Sequence, residues 1–405
     1  MDFEYQYDLL SKGTVEIIKE EEFKVRLKKS IATKTPLRVK LGCDPSRPDI
    51  HLGHTVQLNK LRQFQELGHQ IVFIIGDFTG MIGDPSGKDT TRPMLTEEAI
   101  KENAKTYFDQ VGKILDIEKA EVEYNSRWLT PMNFVDVIKL ASNYTVARMM
   151  ERDDFEKRYK AEKPISVQEF LYPLAQAYDS VVVKADIELG GTDQKFNFIL
   201  TRDIQKAYGQ VPEIVITNPL LVGLDGIEKM SKSLDNYIAI TDCPKDIFGK
   251  IMSISDDLMY NYYELLTDLT LPEIKKMKNE IENNEIHPMN VKKDLAMIIT
   301  ERFFDKAAAK NARDEFESVF SKGNLPEEMK EHRLTESELT GGKIWIVKLV
   351  TDIGFAKSNG EARRLVTQNA VSIDGEKISD VQVEIEAKDG MVIKVGKKNF
   401  AKLVL

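Results

Sequence analysis

Between residues 37 and 218 short, apolar, β-prone runs alternate with longer stretches of helical periodicity, and this alternation constrains the fold more than any other feature of the chain. The runs cover residues 37–41, 70–75, 122–124, 186–189 and 214–217. Strand, helix and strand in regular succession is the pattern of parallel βαβ units, so an α/β fold with a Rossmann-like, doubly wound parallel sheet is predicted. Sheets of this kind bind ligands beyond the carboxyl ends of their strands. Gly42, Gly76 and Gly190 each follow one of the runs directly, which places glycine-rich turns where a site is expected.

The chain then changes character twice. After Pro244 apolar residues recur at helical spacing through 271–281 and 291–305, which predicts a helical domain over 244–320 behind an α/β domain over 1–243. Residues 321–342, rich in glutamate and carrying Pro326 with the pair Gly341 and Gly342, read as a linker. A small α+β module follows over 343–405, with a helix over 358–367 and short alternating runs over 371–373, 381–385 and 391–395. A length of 405 residues fits this count, at roughly 150 residues per domain.

Composition removes several function classes. Lysine and arginine number 57 against 66 aspartates and glutamates, a formal charge of -9 that argues against a protein coating nucleic acid without specificity. The longest apolar run, 71–75, is far below the roughly 18 residues needed to span a bilayer, and the first residues lack the basic start of a signal peptide. No membrane role and a cytoplasmic location are therefore expected. Cys43 and Cys243 are the only cysteines and have no His or Cys at ligand spacing, so neither a disulfide framework nor a structural metal is predicted.

Two motifs carry chemistry. In Gly42-Cys-Asp44-Pro-Ser-Arg-Pro-Asp-Ile-His51-Leu-Gly53-His54 a strand gives way to a helix, whose first free N–H groups suit a phosphate. His51 and His54 there either donate to the oxygens of a triphosphate or merely cap the helix. Far downstream Lys229-Met-Ser-Lys232-Ser233 follows a turn around Asp225-Gly226. Two lysines three apart on a loop either clamp a leaving pyrophosphate or form ordinary solvated surface. Tyr172, Gln176 and Asp179 lie at i, i+4 and i+7, which puts them on one helix face, lining a pocket or facing solvent.

Together, H-x-G-H after the first strand and K-M-S-K-S after the last resemble the signature of class I aminoacyl-tRNA synthetases. The stretches 80–88, 172–179 and 189–194, in that order, narrow the resemblance to the bacterial tyrosyl-tRNA synthetases. Where the better-known branch has a tyrosine sharing the substrate hydroxyl with an aspartate, this chain has Lys40, so the likeness is closer to the second bacterial subgroup. Lys40 would then point outward or pair with a carboxylate.

The resemblance implies a tyrosine–tRNA ligase that uses L-tyrosine, ATP with accompanying Mg2+, and tRNA(Tyr). Tyr172, Gln176 and Asp84 would hold the substrate ammonium, Asp179 would accept the phenolic hydroxyl, and Gln194 would face the activated amino acid. Gly42, Asp44, Gly53, Gly191, Asp193 and Lys232 are the positions expected to meet ATP. His51, His54, Lys229, Lys232 and Ser233 would serve catalysis, and Lys88 and Arg92 resemble family positions near the adenylate or pyrophosphate. A homodimer joined through the α/β domain is also implied.

The C-terminal module resembles the S4-type RNA-binding fold. Residues 343–405 carry eleven basic against eight acidic residues, a local net charge of +3. Arg363, Arg364 and Lys377 are the expected phosphate contacts, with Lys394, Lys397, Lys398 and Lys402 as weaker ones. Rival readings are a nucleotidyltransferase of the same superfamily, a non-catalytic RNA-binding protein on a synthetase scaffold, and the tryptophanyl relative.

Overall fold

The computed structural model of the chain describes residues 2–45, 50–86, 96–321, 329–335, 338–339, 341–396 and 399–405. They form two compact units, Met1–Ala309 and Lys310–Leu405.

The first unit is built on six strands, β1 (Glu16–Ile18), β2 (Arg38–Cys43), β3 (Gln70–Ile75), β4 (Glu121–Tyr124), β5 (Ile187–Gly191) and β6 (Ile214–Asn218), in the order β1-β6-β5-β2-β3-β4. From β6 to β4 all neighbours run parallel. The chain winds from β2 out to β4 on one side and then from β5 to β6 on the other. A crevice therefore opens between the carboxyl ends of β2 and β5, at the topological switch point. Residues 71–75 and all of β5 and β6 are buried, as expected of strands covered on both faces.

Two features depart from expectation. The sheet is not wholly parallel, because β1 pairs antiparallel with β6. Glu-Ile-Ile is too short to show a period, and its pairing is made by backbone groups. Gly42 and Gly190, read as turn residues, lie inside strands, opposite Ile74 and Thr217. Ladder hydrogen bonds need no side chain, so the strands run on through the glycines. At Gly190 a Cβ would come within 2.3 Å of the Phe198 ring, so only glycine lets the helix Lys195–Ala207 lie so close to β5.

The helices after Pro244 (Pro244–Met252, Asp256–Leu266, Leu271–Glu282 and Pro288–Phe303) fall in the same compact unit as the sheet. Tyr262 donates to the Val222 carbonyl at 2.8 Å and Arg302 to Asn59 Oδ1 at 2.9 Å, which ties them to the sheet half of the chain. Among the described residues no helix is long and apolar enough to cross a membrane.

The second unit has a five-stranded sheet in the order β10-β9-β12-β13-β7 and a two-stranded β11-β8 ladder. The strands are β7 (Lys330–Arg333), β8 (Lys343–Trp345), β9 (Val371–Ile373), β10 (Glu376–Ile378), β11 (Glu384–Glu386), β12 (Val392–Val395) and β13 (Asn399–Val404). Ile344, Val347, Val350, Ala362, Val366 and Ile393 are among the side chains of its core. β7 lies in the stretch read as a linker. Lys-Glu-His-Arg has no apolar alternation, and the strand exists through its parallel backbone pairing with β13. The helix Asn359–Thr367 begins where expected, with the Ser358 hydroxyl accepting from the Glu361 N–H.

Candidate active site

Beyond the carboxyl ends of β2 and β5 lies a cavity of about 440 Å³. It is lined by the substrate, nucleotide and catalytic residues expected from sequence in the first unit, from Gly42 and Asp44 through His51, Gly53, His54, Asp84, Tyr172, Gln176, Asp179, Gly191, Asp193 and Gln194 to Lys229, Lys232 and Ser233. Lys88 and Arg92 lie outside the described residues.

Asp44 leaves the end of β2 and packs over Gly76, where a Cβ would stand 2.0 Å from its Oδ1. Thr79 donates to the same Oδ1 at 2.7 Å, and the Tyr172 hydroxyl donates to Oδ2 at 2.8 Å. Both carboxylate oxygens are thus aimed by fixed donors. Burial, reinforced by the Asp44 and Asp84 charges, pushes the Tyr172 phenol well above its ordinary range, so it remains a donor.

His51 is the N-cap of the helix Leu52–Glu66: its Nδ1 accepts from the Gly53 N–H at 3.1 Å, while His54 Nδ1 accepts from the His51 N–H at 3.2 Å. Capping and donation to a phosphate, posed as alternatives by the sequence, are compatible in this geometry. With each Nδ1 accepting from a backbone donor, a neutral ring carries its proton on Nε2. Burial, the neighbouring His54 and Lys232 bring His51 down to about 3. His54 keeps an edge open to the cavity, yet the protein enclosing it, with Lys232, brings it down to about 4. Near neutral pH both rings are uncharged donors, their centroids 3.9 Å apart.

The face shared by Tyr172, Gln176 and Asp179 on the helix Val167–Val183 is turned to the cavity rather than to solvent. Asp179 is buried, accepting from Trp128 Nε1 at 2.8 Å and Asn125 Nδ2 at 3.2 Å. Burial pushes its carboxyl up to about 7, against the pull of Lys40 and these two donors. Asn197 Nδ2 donates to Gln176 Oε1 at 2.9 Å and to Gln194 Oε1 at 2.8 Å, and Gln194 Nε2 donates to Asp84 Oδ2 at 2.8 Å. The buried Arg152 donates to the Ser86 hydroxyl at 2.6 Å, 3.7 Å from Asp84 Oδ1.

Thr79, Asn125, Trp128, Arg152 and Asn197 escaped the sequence reading. A signal existed for Asn125, which directly follows the strand β4, and for Trp128 in the short helix after it, since both come just past a carboxyl end. Lys40 does not point outward: its ammonium is buried and lies 2.8 Å from Glu188 Oε1.

The loop carrying Lys229, Lys232 and Ser233 is shaped by Asn236. Its Oδ1 accepts from the Ser231 N–H at 2.8 Å, and its Nδ2 donates to Asp225 Oδ2 at 2.5 Å and to the Lys229 carbonyl at 3.2 Å. Met230 is buried, anchoring the loop between the two lysines. Lys232 stands 6.0 Å from the centre of the Tyr237 ring, which itself lies 6.2 Å from that of His51. Among the described residues no group of three His, Cys, Asp or Glu could hold a metal.

In the second unit Arg363 and Arg364 are exposed on the helix Asn359–Thr367, and Lys377 is exposed on β10. The Arg363 guanidinium lies 5.2 Å from the centre of the Trp345 ring, whose Nε1 donates to the Val381 carbonyl at 2.6 Å. Lys394 lies over Phe400, Lys402 is exposed, and Lys397 and Lys398 are outside the described residues.

Residues 32–321 match the family model described as tRNA synthetases class I (W and Y), and residues 327–403 match the tyrosine–tRNA ligase SYY-like C-terminal domain. The tyrosine–tRNA ligase of Desulfotalea psychrophila is 52% identical over 401 residues, covering 99% of this chain and 98% of that protein. That of Syntrophotalea carbinolica is 52% identical over 400 residues, covering 98% and 97%. Among solved structures, tyrosyl-tRNA synthetase from Archaeoglobus fulgidus, complexed with L-tyrosine, superimposes with a TM-score of 0.63 at 25% identity, over 77% of this chain and 100% of that one. The C-terminally truncated mitochondrial enzyme of Aspergillus nidulans shares the fold, with a TM-score of 0.66 at 19% identity, over 78% of this chain and 94% of that one. The likeness to the bacterial ligases runs the length of the chain, and the chain belongs to the class I tRNA synthetase family of the tryptophan and tyrosine type.

Proposed function

We propose that the cavity performs both steps of a tyrosine–tRNA ligase. In the first, the carboxylate of L-tyrosine attacks the α-phosphorus of ATP and pyrophosphate leaves. In the second, a hydroxyl at the 3′ end of tRNA(Tyr) takes the tyrosyl group and AMP leaves. Neither step needs a side-chain nucleophile, since positioning and stabilisation of developing charge supply the rate. The neutral N–H groups of His51 and His54 donate to the phosphate under attack, while Lys229, Lys232 and Ser233 take the charge of the departing pyrophosphate. Asp84, Tyr172 and Gln176 hold the ammonium. Gly42, Asp44, Gly53, Gly191 and Asp193 form the wall for the nucleotide, and Gln194 faces the activated amino acid. Magnesium enters with ATP as counterion to its phosphates. Arg363, Arg364 and Lys377 of the second unit meet tRNA phosphates, and a cytoplasmic setting follows from these substrates.

The observation that carries the choice of tyrosine is Asp179, a buried carboxylate with two protein donors and room in its lone pairs for a third. A phenol completes that set, whereas phenylalanine leaves the carboxylate short of a partner. Exchange of labelled pyrophosphate into ATP, run with tyrosine, tryptophan and phenylalanine in turn, is expected to respond to tyrosine. Asp179→Ala should weaken tyrosine binding by about 1 to 3 kcal/mol or more, the penalty for an unpaired buried polar group. Stronger exchange with tryptophan, or parent affinity of the Asp179 variant in equilibrium dialysis, would refute the assignment.

The homodimer is supported by the helix Phe134–Ala141, which leaves Phe134 79% exposed beside exposed Val135 and Ile138. A contiguous apolar face of this kind suits burial against a second copy. Ile138→Asp is expected to convert a dimer to a monomer in analytical ultracentrifugation. A parent protein that sediments as a monomer at micromolar concentration would remove the dimer from the reading.

A further inference from the structure

Lys40 and Glu188 face each other in register on β2 and β5, beneath the helix Val167–Val183. Their side chains are almost fully buried, at 1% and 2% exposure. The ammonium has three hydrogens and three acceptors: Glu188 Oε1 at 2.8 Å, the Ser180 hydroxyl at 2.7 Å and the Gln176 carbonyl at 3.3 Å. Two of these belong to the helix that carries Tyr172, Gln176 and Asp179, and Ser180 is the residue next to Asp179. A well-packed apolar pair would join the two strands with no less stability. What the charges add is direction, through fixed hydrogen bonds, and a field.

We propose that Lys40 is a positioning residue for tyrosine selection: held by Glu188, it pins the turn from Gln176 to Ser180 and supplies the positive charge beneath Asp179 that keeps this side chain an acceptor for the substrate phenol. The inference rests on the reading that Asp179 receives the phenol. Lys40, Glu188 and Tyr172 are titratable groups coupled to Asp179, and Glu213 adjoins the Lys40–Glu188 pair. Burial alone would lower Lys40, yet Glu188, Glu213 and Asp179 together hold it above its ordinary value, so it stays charged. Burial, with Glu188, pushes the Glu213 carboxyl beside the ion pair well up. The two members of that pair therefore act on Asp179 in opposite senses, Lys40 lowering it and Glu188 raising it.

Protonation takes the charge from Asp179 and leaves it a weaker acceptor for the phenol, so tyrosine affinity should fall as pH drops through a midpoint near the carboxyl's value of about 7. The experiment is equilibrium dialysis of labelled tyrosine across about pH 5.5 to 8.5, a window in which the free phenol stays protonated. Lys40→Met is expected to move the midpoint up by about one unit, the lower end of what losing a neighbouring charge does to a carboxylate. Glu188→Gln should move it down, and Lys40→Arg, which keeps the charge, should return it toward the parent. Should Lys40→Met fail to fold, Lys40→Met with Glu188→Met removes both buried charges, and its midpoint should still rise because Lys40 is the stronger influence. Packing alone would move the single variants the same way or change only the plateau affinity, and either result overturns the proposal. Asp179→Asn separates the two ideas. If it abolishes the pH dependence while the Lys40 and Glu188 variants leave the midpoint in place, the role of Lys40 falls alone. If it binds tyrosine as the parent does, the pocket reading falls first.

Discussion

Replacing Lys232 with alanine is expected to slow formation of tyrosyl-adenylate by about a hundredfold or more, the usual effect of removing one preorganised donor from developing charge, with tyrosine affinity close to the parent's. Lys232 opens a short 3-10 turn on a loop fixed by Asn236 and by buried Met230. It lines the same cavity as the histidine pair, near enough for its charge to contribute to lowering both rings. In the arrangement proposed above it would meet the phosphates, at the opposite end of the substrate from Asp179. Its charge therefore matters most when pyrophosphate is leaving, and little when tyrosine alone is bound. Stopped-flow measurement of adenylate formation with saturating tyrosine tests this. A rate within about threefold of the parent, far short of the loss expected for such a donor, would show that the loop takes no part in the chemistry.

Ending the chain after Ser321 should abolish most tRNA charging while leaving pyrophosphate exchange nearly unchanged. The cavity is lined by residues up to Ser233, all in the first unit, whereas the second has its own apolar core around Ile344, Val350 and Ile393. The cut belongs there rather than after Gly342, because Lys330–Arg333 is a strand of the second unit's sheet. Removing one cation from a tRNA phosphate lowers the salt slope of binding by about one unit, so the truncated protein should show a much flatter salt dependence than the full chain. The paired measurement is exchange against aminoacylation, on truncated protein whose thermal transition is intact. If both activities fall together, the second unit serves the active site itself. If neither falls, it does not bind the tRNA.

Much of this was legible in residue order because it depends on neighbours a few positions apart. Apolar runs foretold the five parallel strands, the spacing of Tyr172, Gln176 and Asp179 foretold their common face, and Ser358 with Glu361 marked a helix start. Such features are settled within one or two turns of the chain, where side-chain period and capping act directly. The edge strands Glu16–Ile18 and Lys330–Arg333 were not legible, since backbone hydrogen bonds to a distant strand create them and leave no pattern in the side chains. Nor was the contact of Asp179 with its partners. Trp128, Asn125 and Lys40 reach it only because β2, β4 and the helix Val167–Val183 are brought together by the order of strands in the sheet. Lys40 shows the difference most plainly. Its sequence context allows exposure or pairing, and burial opposite Glu188 on the neighbouring strand leaves only pairing, because a lone ammonium inside the protein would cost far more than the fold can supply.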